Sequence, residues 1–192
     1  MKLNVVQSSS AAINSIYIIH DFLDDLSYLK SLEDSLEKYT LKDEMGHSTN
    51  VKATMTEYEK LLGDEQFNKI HIKILETLAF IFTLRMPHPN EVLSFEMVDS
   101  WGMRHRKNNE TVNHIHGTSF SGAFYVRVPS PTVMFFEDYF HSLELENNML
   151  VLFPGFAKHA VGKYLGDIDR ISMAFNIDIK KPQTIIMDKN RV

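Results

Sequence analysis

Two imidazoles one residue apart, His114 and His116 in the stretch NHIHGTSFSG, are the part of this chain best equipped for chemistry. On an extended strand, residues i and i+2 share a face with their backbones about 6.6 Å apart. Two ring nitrogens at that spacing can lean onto one metal ion at about 2.0 to 2.1 Å. The chain has nine histidines in 192 residues, so such a pair arises easily by chance and its context has to decide. No cysteine is present, which rules out thiolate ligation and disulfides and leaves His, Asp and Glu as metal donors.

A third donor is found in LVLFPGFAKHAVG. There an apolar strand ends, Pro154 and Gly155 turn the chain, and His159 opens a strand running back toward the first pair. Two ligands on one segment and a distant third leave one side of an octahedral metal open, the facial arrangement of non-haem Fe(II) oxygenases. Downstream, DRISMAFNID alternates. Arg170, Ser172, Ala174 and Asn176 share one face, and Ile171, Met173, Phe175 and Ile177 share the other. If the polar face lines a barrel, the guanidinium fork and the hydroxyl would bind a carboxylate beside the metal. Alternation alone describes a half-solvated antiparallel strand at least as well.

These residues need elements to hold them. INSIYII reads as a strand, and DDLSYLKSLEDSLEKY as an amphipathic helix with an aspartate cap and a stripe of Leu26, Leu29, Leu32, Leu36 and Tyr39. A second helix is predicted over 64–84, capped by Asp64, with Phe67, Ile70, Ile74, Leu78 and Ile81 on one face, until MPHPN breaks the pattern. After residue 90 the runs shorten to VLSFEMV, GAFYVRV, TVMFFE, MLVLF and RISMAFNIDI, separated by turn residues. Many short strands after two helices favour a mainly β jelly-roll or cupin-type barrel with flanking helices over a doubly wound sheet. No boundary splits the chain, so 1–192 reads as one domain, with a strand and helical flank over 1–90 and a barrel core over 91–180.

The net charge of -5 disfavours a surface built to coat nucleic acid or an anionic membrane. No run is long enough to span a membrane, and the chain reads as soluble and cytoplasmic. WGMRHRKNNE, with Trp101 and His105, reads as a solvated loop, with a basic rim to the pocket as the alternative. His20, His47, His71, His88 and His141 read as surface or structural residues rather than ligands. A homodimer is left open.

HIHGTSFSGAFYV, LVLFPGFAKHAVG and RISMAFN, in that order, resemble the 2-oxoglutarate and Fe(II)-dependent oxygenase superfamily. More closely, they look like its prolyl-hydroxylase-like members from phages and marine bacteria, over about residues 92–178. The resemblance implies a double-stranded β-helix in the cytoplasm, or in the host cytoplasm if phage-encoded. It also implies Fe(II) held by His114, His116 and His159, and 2-oxoglutarate bound through Arg170 and Ser172, with Tyr125 offering its hydroxyl. His116 stands where the superfamily carries a carboxylate, a His-x-His variant whose site is more positive and pulls harder on an anion. Glu110 or Asp138 would then compensate by orienting an imidazole or coordinating, with Asn176 a further supporting residue. Phe124, Phe135 and Phe153 are candidate apolar linings. The implied activity is hydroxylation of a protein side chain or metabolite with release of succinate and CO2. Two rival readings are a three-His cupin-type dioxygenase that needs no 2-oxoglutarate and a non-catalytic metal- or carboxylate-binding barrel.

Overall fold

The computed structural model describes residues 2–7, 12–42, 50–85 and 93–180. His47, His88 and the MPHPN break lie outside them. Strands β1 (Lys2–Gln7) and β2 (Ser15–His20) precede helix α1 (Leu26–Lys42). The short strands β3 (Val51–Lys52) and β4 (Thr54–Met55) lead to helix α2 (Glu65–Arg85). Eight strands follow: β5 (Ser94–His105), β6 (Glu110–His114), β7 (Phe120–Arg127), β8 (Val133–Phe136), β9 (His141–Glu144), β10 (Met149–Pro154), β11 (His159–Val161) and β12 (Arg170–Lys180).

Both helices start where their aspartates predict. Asp25 accepts the Tyr28 N–H at 3.0 Å, and Asp64 accepts the Gln66 N–H at 3.0 Å. Phe67, Ile70, Ile74, Leu78 and Ile81 are all buried, as are Leu32 and Leu36. Leu26 departs from its stripe and is 68% exposed, although Tyr28 and Leu29 of the same turn pack against the core.

All strand pairs are antiparallel and form two sheets. The larger runs β1-β2-β10-β7-β12-β5-β4 and the smaller β3-β6-β11-β8-β9. From β5 onward the chain passes repeatedly between them, which is the winding of a double-stranded β-helix. The helices pack on the outer face of the larger sheet, in one core with Phe124, Ile171, Met173, Phe175 and Ile177. A second core, with Ala123, Tyr125, Met134, Phe136, Val151, Phe153 and Val161, fills the space between the sheets. The alternation along β12 is therefore that of a strand buried on both sides, and its polar face looks inward.

One expectation needs correction. The stretch from Trp101 to His105 is not a loop: it continues β5, with Trp101 4% and His105 1% exposed. Its Gly102 pairs with Met173 and sits so close to Leu36 that a Cβ would lie 2.9 Å from that side chain. Within the basic cluster, Arg104 pairs with Asp169 at 2.5 Å and Lys107 with Asp167 at 2.8 Å, so these two cations already have carboxylate partners in the fold.

Candidate metal centre

His114 ends β6 and His159 begins β11, and the two strands pair with these residues directly opposite. His116 lies beyond the strand end, where its N–H donates to the Gly155 carbonyl at 2.7 Å. The Gly155 N–H in turn donates to Ser119 at 3.1 Å. This laces the turn after β10 to the segment after β6. A Cβ at Gly155 would sit 1.9 Å from the Thr118 carbonyl oxygen, so only glycine allows the approach.

One potential ligand atom from each of His114, His116 and His159 falls within 4.8 Å of the others. Among the described residues this is the one group of three or more potential ligands drawn that close. The ring centroids are 4.3 to 5.2 Å apart. His114 Nδ1 donates to the Val112 carbonyl at 2.8 Å, and His159 Nδ1 donates to the Ala157 carbonyl at 2.9 Å. Each bond fixes a tautomer with a bare Nε2 lone pair, the form that ligates a metal. Burial pushes the pKa of His159 down to about 3 and that of His116 down to about 4, and it lowers His114 as well. All three rings are thus neutral at pH 7, with their lone pairs available.

A bulge shapes the wall beside them. Two residues of β11, His159 and Val161, span the pairing from His114 to Thr111 on β6. The extra residue lets Thr111 and His114, of opposite parity, both line the cavity. Trp101, Ser121, Tyr125, Met134 and Phe153 complete much of its wall. Phe153 packs against His159 with ring centroids 4.4 Å apart.

Arg170 opens β12 and pairs with His105 of β5, while Ser172 pairs with Tyr125 of β7. The Arg170 side chain is 1% exposed and lies over the Tyr164 ring at 5.6 Å. Its Nε and Nη1, and Ser172 Oγ, have no hydrogen-bond partner among the described residues. Arginine stays a cation at neutral pH even though burial lowers its pKa. Nearby, Arg127 meets Glu33 at 2.9 Å and Glu37 at 3.1 Å, and Arg104 meets Asp169. No such carboxylate meets Arg170 among the described residues. Tyr125 makes only a 3.7 Å contact to Met134 sulfur through its hydroxyl, which burial pushes up to about 12, so it remains a donor.

Several expected residues fall elsewhere. Asp138 accepts the Lys158 N–H at 3.1 Å, and Glu110, adjacent to inward Thr111, faces the other side of β6. Main-chain carbonyls, not carboxylates, orient His114 and His159. Asn176 is buried, but it accepts the Ser121 hydroxyl at 2.9 Å and donates to Asp99 at 3.1 Å, bracing the strands below the site. Of the three candidate lining phenylalanines only Phe153 borders the cavity. Phe124 packs outward against Phe22, and Phe135 is 47% exposed. The parity of Tyr125 and Met134, which face inward, excludes both. Among the other histidines, His71 is a buried structural residue, its Nε2 3.0 Å from Ser100 Oγ. Thr111 is a site residue that sequence reading missed, whereas Trp101 lines the cavity, as the alternative to a solvated loop had it.

No family model matches the chain, and no curated protein matches its sequence. Its shape does match solved structures. A viral collagen prolyl hydroxylase from Paramecium Bursaria Chlorella virus-1, in complex with 2-oxoglutarate, aligns at TM-score 0.60 and 12% identity over 84% of this chain and 94% of that one. SnoN, a non-haem α-ketoglutarate-dependent epimerase of nogalamycin biosynthesis, aligns at 0.65 and 12% over 90% and 82%. HygX from Streptomyces hygroscopicus, with nickel and 2-oxoglutarate bound, aligns at 0.60 and 10% over 85% and 82%. At these identities the likeness is one of fold, the double-stranded β-helix.

Proposed function

We propose that this chain is an Fe(II)- and 2-oxoglutarate-dependent oxygenase that hydroxylates a protein side chain or a metabolite. One observation carries the reading: a buried, uncompensated guanidinium in the same barrel as three converging neutral imidazoles. Each half of that pair is a costly arrangement by itself. Together they are what a metal-chelating keto diacid requires.

The donor set fits the metal. Imidazole suits iron, nickel and zinc alike, and three such ligands leave coordination positions for a bidentate keto acid and one more group. The orphaned donors fit the diacid, because a carboxylate is acceptor-only and pairs well with a guanidinium fork and a hydroxyl. When bound, Fe(II) with 2-oxoglutarate and dioxygen supplies the oxidation, in which the keto acid becomes succinate and CO2 and a substrate C–H bond becomes C–OH. Val112 and Ala157 carbonyls hold the His114 and His159 rings in their ligating tautomer. Arg170 and Ser172 take the remote carboxylate, and Tyr125 offers its hydroxyl to the same molecule. Phe153 and Trp101 wall the cavity against bulk water. Replacing the superfamily's carboxylate by His116 leaves the site more positive, which favours the anion.

The test is anaerobic titration of the protein with Fe(II) and then 2-oxoglutarate, followed by the visible charge-transfer band of the chelate. Wild type should develop the band, His114→Ala and His159→Ala should not, and Arg170→Ala should need far more 2-oxoglutarate. A band of undiminished affinity in Arg170→Ala would overturn the anchor. The all-histidine ligand set favours a second reading, a three-His dioxygenase without cosubstrate. That enzyme would consume oxygen with its own substrate in the absence of 2-oxoglutarate, and Arg170 would have no role in it.

A further inference from the structure

We propose that His105 is a further donor to the remote carboxylate of 2-oxoglutarate, beside Arg170 and Ser172, and that Thr111 holds it in the donating tautomer. The inference rests on the reading that a keto diacid enters the barrel, and it assigns a neutral histidine to the carboxylate end of that site.

His105 is the last residue of β5, directly opposite Arg170 in the β5·β12 pairing. It is 1% exposed. Its Nε2 lies 3.2 Å from the Thr111 hydroxyl, while its Nδ1 has no partner among the described residues. Thr111 itself lines the metal cavity, so the contact ties the histidine to the wall of the site. A neutral imidazole carries one N–H and one lone pair, and a hydroxyl can serve either. The tautomer therefore depends on what Nδ1 faces.

Nδ1 shares its surroundings with donors. The unpartnered buried atoms at this end of the barrel are Arg170 Nε, Arg170 Nη1, Ser172 Oγ and His105 Nδ1. The remaining two in the described residues belong elsewhere: the Trp101 indole N–H lines the metal cavity, and Arg104 is already neutralised by Asp169. If Thr111 donates to Nε2, the proton sits on Nδ1, and all four orphaned atoms are donors. One carboxylate, with about four lone-pair sites, satisfies such a set. With a carboxylate held among these donors, the opposite tautomer would turn the Nδ1 lone pair toward an acceptor-only group. Burial and the neighbouring Arg170 charge hold His105 in its neutral form, so its proton is donated through a hydrogen bond and adds no second buried cation.

The test uses Ni(II)-loaded protein titrated with 2-oxoglutarate and, separately, with pyruvate, which chelates a metal but has no remote carboxylate. His105→Phe should weaken 2-oxoglutarate binding by about tenfold or more, since a hydrogen bond to a charged group is lost. His105→Asn, which restores a donor near Nδ1, should recover affinity to within about threefold of wild type. Thr111→Val should weaken it less than His105→Phe, and pyruvate affinity should not change in any variant. Wild-type 2-oxoglutarate affinity in His105→Phe, or equal loss of both ligands, overturns the inference. A second measurement needs no variant. In Zn(II)-loaded wild type, the 15N spectrum should show His105 protonated at Nδ1, with that signal shifting on addition of 2-oxoglutarate; protonation at Nε2 overturns the proposal. Wild type that binds pyruvate and 2-oxoglutarate equally weakly would instead sink the functional reading itself, a distinct outcome.

Discussion

If Arg170 is kept for a ligand rather than for the fold, then removing its charge should strengthen the metal-free protein while abolishing 2-oxoglutarate binding. Arg170→Met tests this, because methionine is flexible enough to fill much of the guanidinium's space. Two buried donors of Arg170 go unpaired, and each unsatisfied buried group costs about 1–3 kcal/mol. Against that, the substitution forfeits the stacking over Tyr164, worth about 1–2 kcal/mol where desolvated. It also leaves a small void, at about 1 kcal/mol for a methyl-sized gap. The balance runs from about −1 to about 4 kcal/mol and centres on a net stabilisation of about 1.5 kcal/mol. For a domain of this size each kcal/mol moves the melting temperature by about 2–4 °C, so a rise of several degrees is expected.

Thermal melts in chelator, followed by circular dichroism, measure the first half. The second half adds Ni(II) with and without 2-oxoglutarate. A ligand at a hundred times its Kd stabilises by about 2.7 kcal/mol, so wild type should gain from 2-oxoglutarate and overtake the variant, which should gain nothing from it. An Arg170→Met protein that melts more than about 4 °C below wild type without ligand would show that the guanidinium is satisfied by the fold, and the reasoning from orphaned donors would fail.

The other predictions are more local. Trp101 is the chain's one tryptophan and lines the cavity with the imidazoles, so Ni(II) or Co(II) should quench intrinsic fluorescence in wild type and not in His159→Ala, read by direct titration. Burial holds His71 at a pKa of about 4, below the ordinary 6.5, so the folded state binds fewer protons than the unfolded state between those values. Its contribution is complete above pH 6.5 and declines as pH falls toward 4, by about 3 kcal/mol in all. Urea unfolding from pH 7.5 to 4.5 should therefore show a shallower loss in His71→Gln than in wild type, and parallel curves would contradict the assignment. Gly155→Ala should cost about 1–3 kcal/mol through overpacking, since its Cβ would strike the Thr118 carbonyl, and it should also weaken Ni(II) binding because the same turn carries His116 and His159.

Where local patterns decide, sequence reading reached the structure. Asp25 and Asp64 mark helix starts because a carboxylate satisfies the first free N–H groups whatever surrounds it. Parity grouped Arg170, Ser172, Ala174 and Asn176 on one face of β12, but whether that face looked into a barrel or out to solvent was decided only by the packing of both sheets and helices around the strand. The same parity, applied on β7 and β8, would have excluded Phe124 and Phe135, since each is flanked by residues that face inward. The loop assigned around Trp101 failed for another reason. Gly102 weakens a strand locally, but here its missing Cβ lets Leu36 of α1 approach β5, and helix packing on a sheet is not visible in a window of ten residues.

The convergence of the histidines came from a different cause than the spacing argument supposed. His114 and His116 do not share the face of one continuous strand; β6 stops at His114, and His116 is placed by its bond to the Gly155 carbonyl. That bond depends on the Pro154–Gly155 turn, with Gly155 39 residues downstream of His116. The bulge that brings Thr111 and His114 to one wall depends in turn on the register of β11, which also carries His159. The converging set is therefore a property of the pairing between β6 and β11 rather than of either segment alone. It follows that shifting the register, as by inserting one residue between Thr111 and His114, should abolish Ni(II) binding with every imidazole still present, and a variant that keeps its Ni(II) affinity would refute the dependence on pairing.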